Sequence, residues 1–572
     1  MAHLHKKIKK GRPYYYVREM ARIDGRPKVV NQIYLGSPER IMEMALSQKA
    51  PQIKLQVQEF GALWMANQID REVDLASIVD SVIPPAKNEK GPSVGEYFLY
   101  AALNRLVDSC SKRAFPQWFK ETAIAQIRPV DPQRLTSQRF WDKWDRVDEN
   151  QIQEIARLFF KKIASLAPPG RDCFLFDTTN YYSYMASETE SDLAKRAKNK
   201  DGKDWLRQIG LALLVSRQTK LPLFYQEYEG REHDSKLFAA VLQDIRLRLT
   251  DLVGDMTDLT VVVDKGMNAP NNMSFFDKSD GLHFVTAYST YFSPEFMTIN
   301  LDDFRLLDLN KNRALAEKGK SDDRILAFRT TGSYWGRERT VVLTFNPRTA
   351  RKQRYAFERR MLALKKELYL MQAKMRDNRP QWRKPKEIEK RYRALCEKMH
   401  LSSKFYELSF ERNVGGWQMI FRKNTEIWGE YLRRMGKNIL VTDRSDWTDE
   451  EIVQAALDRY IIENSFRQTK DDDLVSALPI RHWTDGKIRC HFLTCVVALT
   501  YLGLIQNRLA QAELNLSAPA AVNHMRQLHS CLCWINDQKK PARIIEQPTN
   551  EQAKILKAFN HAITPSGVLQ VI

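Results

Sequence analysis

The chain has 572 residues, 43% of them hydrophobic and 28% charged. Ninety Lys plus Arg stand against 70 Asp plus Glu, for a formal net charge of +20. This is the composition of a globular protein with three or more domains, and the excess of base favours a polyanionic partner, nucleic acid before an anionic membrane surface. Seven scattered Cys form no disulfide framework. The longest apolar run, 491–505, falls short of the roughly 20 residues that a membrane span needs and reads as a buried core helix.

Residues 1–40 are basic and hold two β-favouring runs, 14–17 and 29–35, around an Asp24-Gly25 turn signal, which predicts a hairpin. The amino terminus leads into RPYYYVREM and not into an apolar stretch, so no secretory signal is expected and the protein is placed in the cytoplasm. From 41 to 168, segments such as SVGEYFLYAALNRLV and ENQIQEIARLFFKKIASL repeat with helical period, as a packing domain or a helix-turn-helix type of DNA-binding module.

After Pro168-Pro169-Gly170 the pattern changes. Strands are predicted at 173–177, 209–215, 221–228, 258–264 and 282–288, with a helix from 234 to 249. Their continuous apolar runs imply a mixed α/β sheet buried on both faces. Two of these runs end in an aspartate, Asp177 and Asp264. Far downstream, 459–470 reads RYIIENSFRQTK, and at helical spacing Arg459, Glu463, Arg467 and Lys470 share one face while Ile461, Ile462 and Phe466 occupy the other.

A carboxylate at the end of a buried strand is costly without a compensating charge. Either Asp alone is explained by a turn cap, and Glu463 alone by an i,i+4 pair with Arg459 or Arg467. Together, three carboxylates brought to one place call for divalent cations, and an oxygen-only donor set favours Mg²⁺ or Mn²⁺. Two such ions suit phosphodiester chemistry.

With these residues in place, the chain resembles the DDE transposases of bacterial insertion sequences, which have an RNase H-like fold. More narrowly, it is similar to the group with a Tyr-Arg-Glu-Lys signature whose members are separated by two, three and six residues. Arg459, Glu463 and Lys470 match the last three positions, whereas the first is Ala456. The resemblance implies that Asp177, Asp264 and Glu463 hold two Mg²⁺ ions, with Mn²⁺ as a substitute. It also implies that Arg459 and Lys470, with Arg467 assisting, grip DNA phosphates.

The implied activity is cleavage at the ends of an element and strand transfer into target DNA by a homodimer in a paired-end complex, acting on the nucleoid and not at a membrane. An RNase H-like nuclease without strand transfer, or an inactive DNA-binding protein, are the alternatives. The resemblance also accounts for the 198 residues between Asp264 and Glu463 by a mainly β insertion at 290–445. Within it, 351–400 carries seventeen Lys/Arg against six Asp/Glu, a basic helical arm suited to phosphates. The catalytic core runs over 169–289 and 446–515, and 516–572 is expected as a helical tail. His233 and Asp234 lie near the presumed active-site edge, with Asp234 expected as a helix cap. Among the insertion's Trp335, Trp382, Trp417 and Trp428, no motif singles out a base-stacking residue. His524, His529, Cys531 and Cys533 match no standard zinc-finger spacing.

Overall fold

The computed structural model describes residues 2–23, 26–46, 53–170, 172–185, 189, 191–197, 202–232, 234–254, 258–471, 473–535 and 539–572. The centre is a mixed sheet. Its strands run in the order Arg305–Leu306, Leu326–Tyr334, Arg337–Phe345, Lys437–Thr442, Leu282–Tyr288, Leu259–Val263, Cys173–Ser183, Arg207–Ser216 and Lys195–Arg196, and Pro222–Glu229 also pairs with Arg207–Ser216. The strands Cys173–Ser183, Leu259–Val263 and Leu282–Tyr288 are mutually parallel, while Arg207–Ser216 and Pro222–Glu229 are antiparallel to their neighbours.

Both faces of this sheet are covered, which is why its strands read as unbroken apolar runs. On one face Phe174, Phe176, Val261 and Val263 pack against Leu237, Phe238 and Val241 of the helix Asp234–Val253. On the other, Cys173, Leu175 and Val262 join a core shared with the helices of 61–166 and the long helix Asp485–Gln511. That last helix is long and apolar enough to cross a membrane, yet 83% of its most apolar window lies inside the protein. The helices of 61–166 pack around it.

Three regions depart from expectation. The amino-terminal hairpin carries an extra strand: Ala2–Lys9, Arg12–Ile23 and Arg26–Gly36 form an antiparallel sheet, within which the rings of Tyr14 and Tyr16 pack on Tyr34. The expected Asp24-Gly25 turn lies outside the described residues, as does His233.

The insertion is not mainly β. The strands Leu326–Tyr334, Arg337–Phe345, Tyr406–Asn413 and Gly416–Lys423 are present, but the helices Pro347–Arg376, Pro385–Lys398 and Thr425–Arg433 fill much of it. The hairpin Leu326–Tyr334/Arg337–Phe345 does not form a separate unit; it extends the central sheet through Lys437–Thr442, whose edge would otherwise leave backbone groups unpaired. The remainder, from 347 to 435, has a core of its own around Phe357, Leu364, Ile388, Tyr392 and Met419. Its two roots meet where Asn346 N–H donates to the Gly436 carbonyl at 2.9 Å. Gly436 has φ +76, and a Cβ there would lie 2.6 Å from that of Ala350, so the root admits only glycine.

The carboxyl-terminal segment is not a helical tail either. Strand His529–Ile535 pairs with Ile53–Glu59 near the other end of the chain and with Ala542–Ile545, between the helices Ala518–Arg526 and Asn550–Ala558. The alternating HSCLCWI sequence finds a β partner that only the tertiary fold supplies.

Candidate active site

Parallel pairing sets Cys173 opposite Thr260 and Leu175 opposite Val262. Continued by two residues, the same register puts Asp177 level with Asp264. Asp264 immediately follows its strand, which ends at Val263. Asp177 does not end its strand, which runs on to Ser183 while still paired with Arg207–Ser216. It stands where the strand loses its other neighbour, and the gap so opened is the cleft. In open α/β sheets, ligands bind outside the carboxyl ends of parallel strands, where Asp264 lies.

The helix Tyr460–Lys470 lies across the Asp177 strand. Ile461, Ile462, Ser465, Phe466 and Thr469 are buried beneath it, whereas Glu463, Arg467 and Lys470 are exposed. Alternation along the strand turns Asp177, Thr179 and Tyr181 to the helix side, and each is tied to it. Arg459 reaches Asp177, Lys470 Nζ donates to Thr179 Oγ1 at 2.6 Å, and the Tyr181 and Thr469 hydroxyls lie 2.5 Å apart.

Arg459 is the centre of the site. It precedes the helix, and its guanidinium donates from Nη1 to Asp264 Oδ1 at 2.7 Å and from Nη2 to Asp177 Oδ2 at 3.3 Å. The two carboxylates respond differently to one cation. Burial pushes the Asp177 carboxyl above its usual range, against the pull of Arg459 and of the Thr178 N–H. For Asp264 burial also works upward, but Arg459 and the amides of Lys265 and Gly266 outweigh it and hold the carboxyl below its usual range. The closer contact and the greater exposure of Asp264 account for the difference. Arg459 itself is held protonated: burial opposes its charge, and the two aspartates prevail.

Glu463, one turn beyond Arg459, lies on the exposed face of this helix. Among the described residues no group of three His, Cys, Asp or Glu is close enough to share a metal ion. Asp177 and Asp264 nevertheless hold one positive group jointly, and their all-oxygen chemistry fits Mg²⁺ or Mn²⁺. Arg467 is exposed beside Asn464, to which it donates a hydrogen bond. Ala456 belongs to the preceding helix, Asp449–Leu457, and packs partly into the core, so the position of the signature tyrosine does not share the Glu463 helix.

Sequence reasoning missed the groups that fix this helix. Asp458, between the two helices, receives Arg217 Nε at 2.6 Å and Gln454 Nε2 at 2.7 Å, which pins the start of the Arg459 segment to the sheet. No spacing rule links Arg217 to Asp458, 241 positions apart. Thr179 and Tyr181 lie beyond the strand expected at 173–177 and match no motif. Of the insertion tryptophans, Trp382 lies between Lys374 and Arg391, Trp428 packs on Phe357, Trp335 packs on Phe284 and Tyr288, and Trp417 on its hairpin is 38% exposed.

A doubly covered mixed sheet with Asp177 and Asp264 level with each other in register defines an α/β protein with an acidic site where the Leu259–Val263 strand ends. Residues 183–500 match the transposase DDE domain family, more than half of the chain, and the chain belongs to that family. The matched span contains Asp264 and Glu463 and begins just beyond Asp177. No curated protein matches the chain. Among solved structures, a cryo-EM synaptic complex of piggyBac transposase with hairpin DNA is similar at a TM-score of 0.36 and 8% identity, over 83% of this chain and 82% of that one.

Proposed function

We propose that this transposase cleaves DNA at the ends of its element and transfers the freed strand into target DNA, with Asp177, Asp264 and Glu463 as the catalytic carboxylates of an RNase H-like core. The observation that carries the reading is the level placement of Asp177 and Asp264 across adjacent parallel strands, with the Glu463 helix fastened over them. Bound there, two Mg²⁺ ions, or Mn²⁺ in their place, supply activation of the attacking oxygen and stabilisation of the leaving one. Asp177 and Asp264 would hold the ions from the sheet, with Glu463 contributing from the helix.

Lys470 and Arg467, exposed on the same helix face, bind the phosphates of the cleaved strand, and Arg459 joins them when it is free. Fixed by Thr179, Lys470 positions that strand without reading its sequence. The arm at 351–400 tracks flanking phosphates, and the amino-terminal sheet and the helical segment add further contacts. Joining two ends requires two active sites, which suits a homodimer in the cytoplasm, associated with the nucleoid when bound.

The test is cleavage and joining of the DNA flanking the gene in Mg²⁺, with wild type against Glu463→Gln. Joined product from wild type alone supports the reading. Nicks without joining would favour an RNase H-like nuclease, and binding without cleavage by either protein a DNA-binding role.

A further inference from the structure

Arg459 is assigned to DNA phosphate in the reading above, yet both of its terminal nitrogens are spent on the catalytic aspartates. We propose that Arg459 is the resident counter-cation of the metal-free site, holding Asp177 and Asp264 until a divalent cation takes its place and frees it for a DNA phosphate, so that metal and DNA binding are coupled through this one side chain.

Three observations support the exchange. The oxygens that Arg459 occupies, Asp264 Oδ1 and Asp177 Oδ2, come from two different strands and converge on one group, as donors to a metal ion must. Guanidinium and metal cannot occupy the same lone pairs, so the two states exclude each other. Arg459 also sits at the amino-terminal end of the helix Tyr460–Lys470, where the peptide dipoles disfavour a cation. Its Nε is buried with no partner among the described residues. Held only by the two carboxylates, the side chain loses its reason to stay once they are engaged. Upon release it remains one turn from Glu463, at the start of the helix that carries Arg467 and Lys470.

Charge runs the same way. With Arg459 in place, the pair of carboxylates and one guanidinium leave a net negative site that repels phosphate; with divalent cations there and Arg459 outside, the cleft is positive. Linkage makes the effect reciprocal, so DNA bound to Arg459 tightens metal binding by the same factor.

This rests on the metal-binding reading of Asp177 and Asp264, and the experiment separates the two. Mn²⁺ binding to metal-free, full-length protein is measured by calorimetry for wild type, Arg459→Gln, Arg459→Lys and Asp264→Asn. Binding of a labelled duplex of the flanking DNA is then compared in EDTA and in Ca²⁺ at fixed ionic strength. We expect Mn²⁺ to bind Arg459→Gln about ten-fold more tightly than wild type, with Arg459→Lys between them. Ca²⁺ should tighten duplex binding to wild type about ten-fold and to Arg459→Gln less than about two-fold. Thermal melting monitors folding, and should Arg459→Gln fail to fold, Arg459→Lys carries the comparison. Equal Mn²⁺ affinity in wild type and the Arg459 variants, or an undiminished Ca²⁺ effect without Arg459, would overturn the exchange. Mn²⁺ affinity unchanged by Asp264→Asn would overturn the metal reading itself.

Discussion

Arg459 and Lys112 both lie in poorly hydrated parts of this protein, and they are treated in opposite ways. Arg459 is held between two carboxylates, which keep it charged. Lys112 is fully buried with Nζ 4.8 to 5.4 Å from the ring centres of Phe115, Phe140 and Trp144, and that nitrogen has no hydrogen-bond partner among the described residues. Burial, aided by the neighbouring charge of Arg105, pulls the Lys112 amine down to about 7. His482 and His491 beside this region are lowered too, by burial first. Desolvation without a paired acid thus pulls a base toward its neutral form, whereas desolvation with paired acids builds a charged site. The first arrangement is structural, and the second is poised for chemistry.

The comparison can be broken most directly at the acids. Asp177→Asn or Asp264→Asn should lower strand cleavage by about a thousand-fold or more, or roughly 4 kcal/mol of transition-state stabilisation. Lys112→Met should leave the cleavage rate of folded protein within about two-fold of wild type, since it touches nothing in the cleft. Rates from single-turnover assays check both.

A smaller effect is expected on stability. Arg459→Ala leaves two carboxylates facing one another and should cost about 2 kcal/mol in EDTA, a loss that Mn²⁺ restores. Lys112→Met should instead stabilise the protein at pH 7 by about 1 kcal/mol. The sign for Lys112 follows from linkage. Between about 7 and the ordinary lysine value the unfolded chain carries the extra proton, so native stability rises with pH across that window. Lys112→Met should flatten that rise, and urea melts at several pH values would show it.

The smallest effect concerns the arm and its solvated cations. Lys352, Arg359 and Lys366 recur at seven-residue spacing on the helix Pro347–Arg376 and are exposed. Replacing all three by Gln should reduce the slope of log affinity against log salt by about 2.7, without changing cleavage by the bound complex. An unchanged slope would mean that the arm does not meet DNA.

What the sequence revealed, and what it hid, follows from the distance over which each feature is encoded. The strand before Asp264, the helix from Asp234 and the apolar face of the Glu463 helix are periodic over a few residues, and the structure has them, whereas the strand expected to end at Asp177 runs on to Ser183. The break at Asp458 is invisible in the continuous run LDRYII because an ion pair with distant Arg217 makes it. The carboxyl-terminal strand was hidden because its partner, Ile53–Glu59, lies near the opposite end of the chain. In the insertion, β structure was expected, but the attachment of its first hairpin to the central sheet depends on an edge that sequence does not display. Arg459 was legible as a cation on the right face. Its bridging of Asp177 and Asp264, 282 and 195 positions away, was not.

The central claim, that these aspartates are metal ligands in strand cleavage and joining, is tested most directly by changing ligand softness. Strand joining by Asp264→Cys should be lost in Mg²⁺ and partly recovered in Mn²⁺, which tolerates sulfur better. Normal joining by Asp264→Cys in Mg²⁺ would contradict the account.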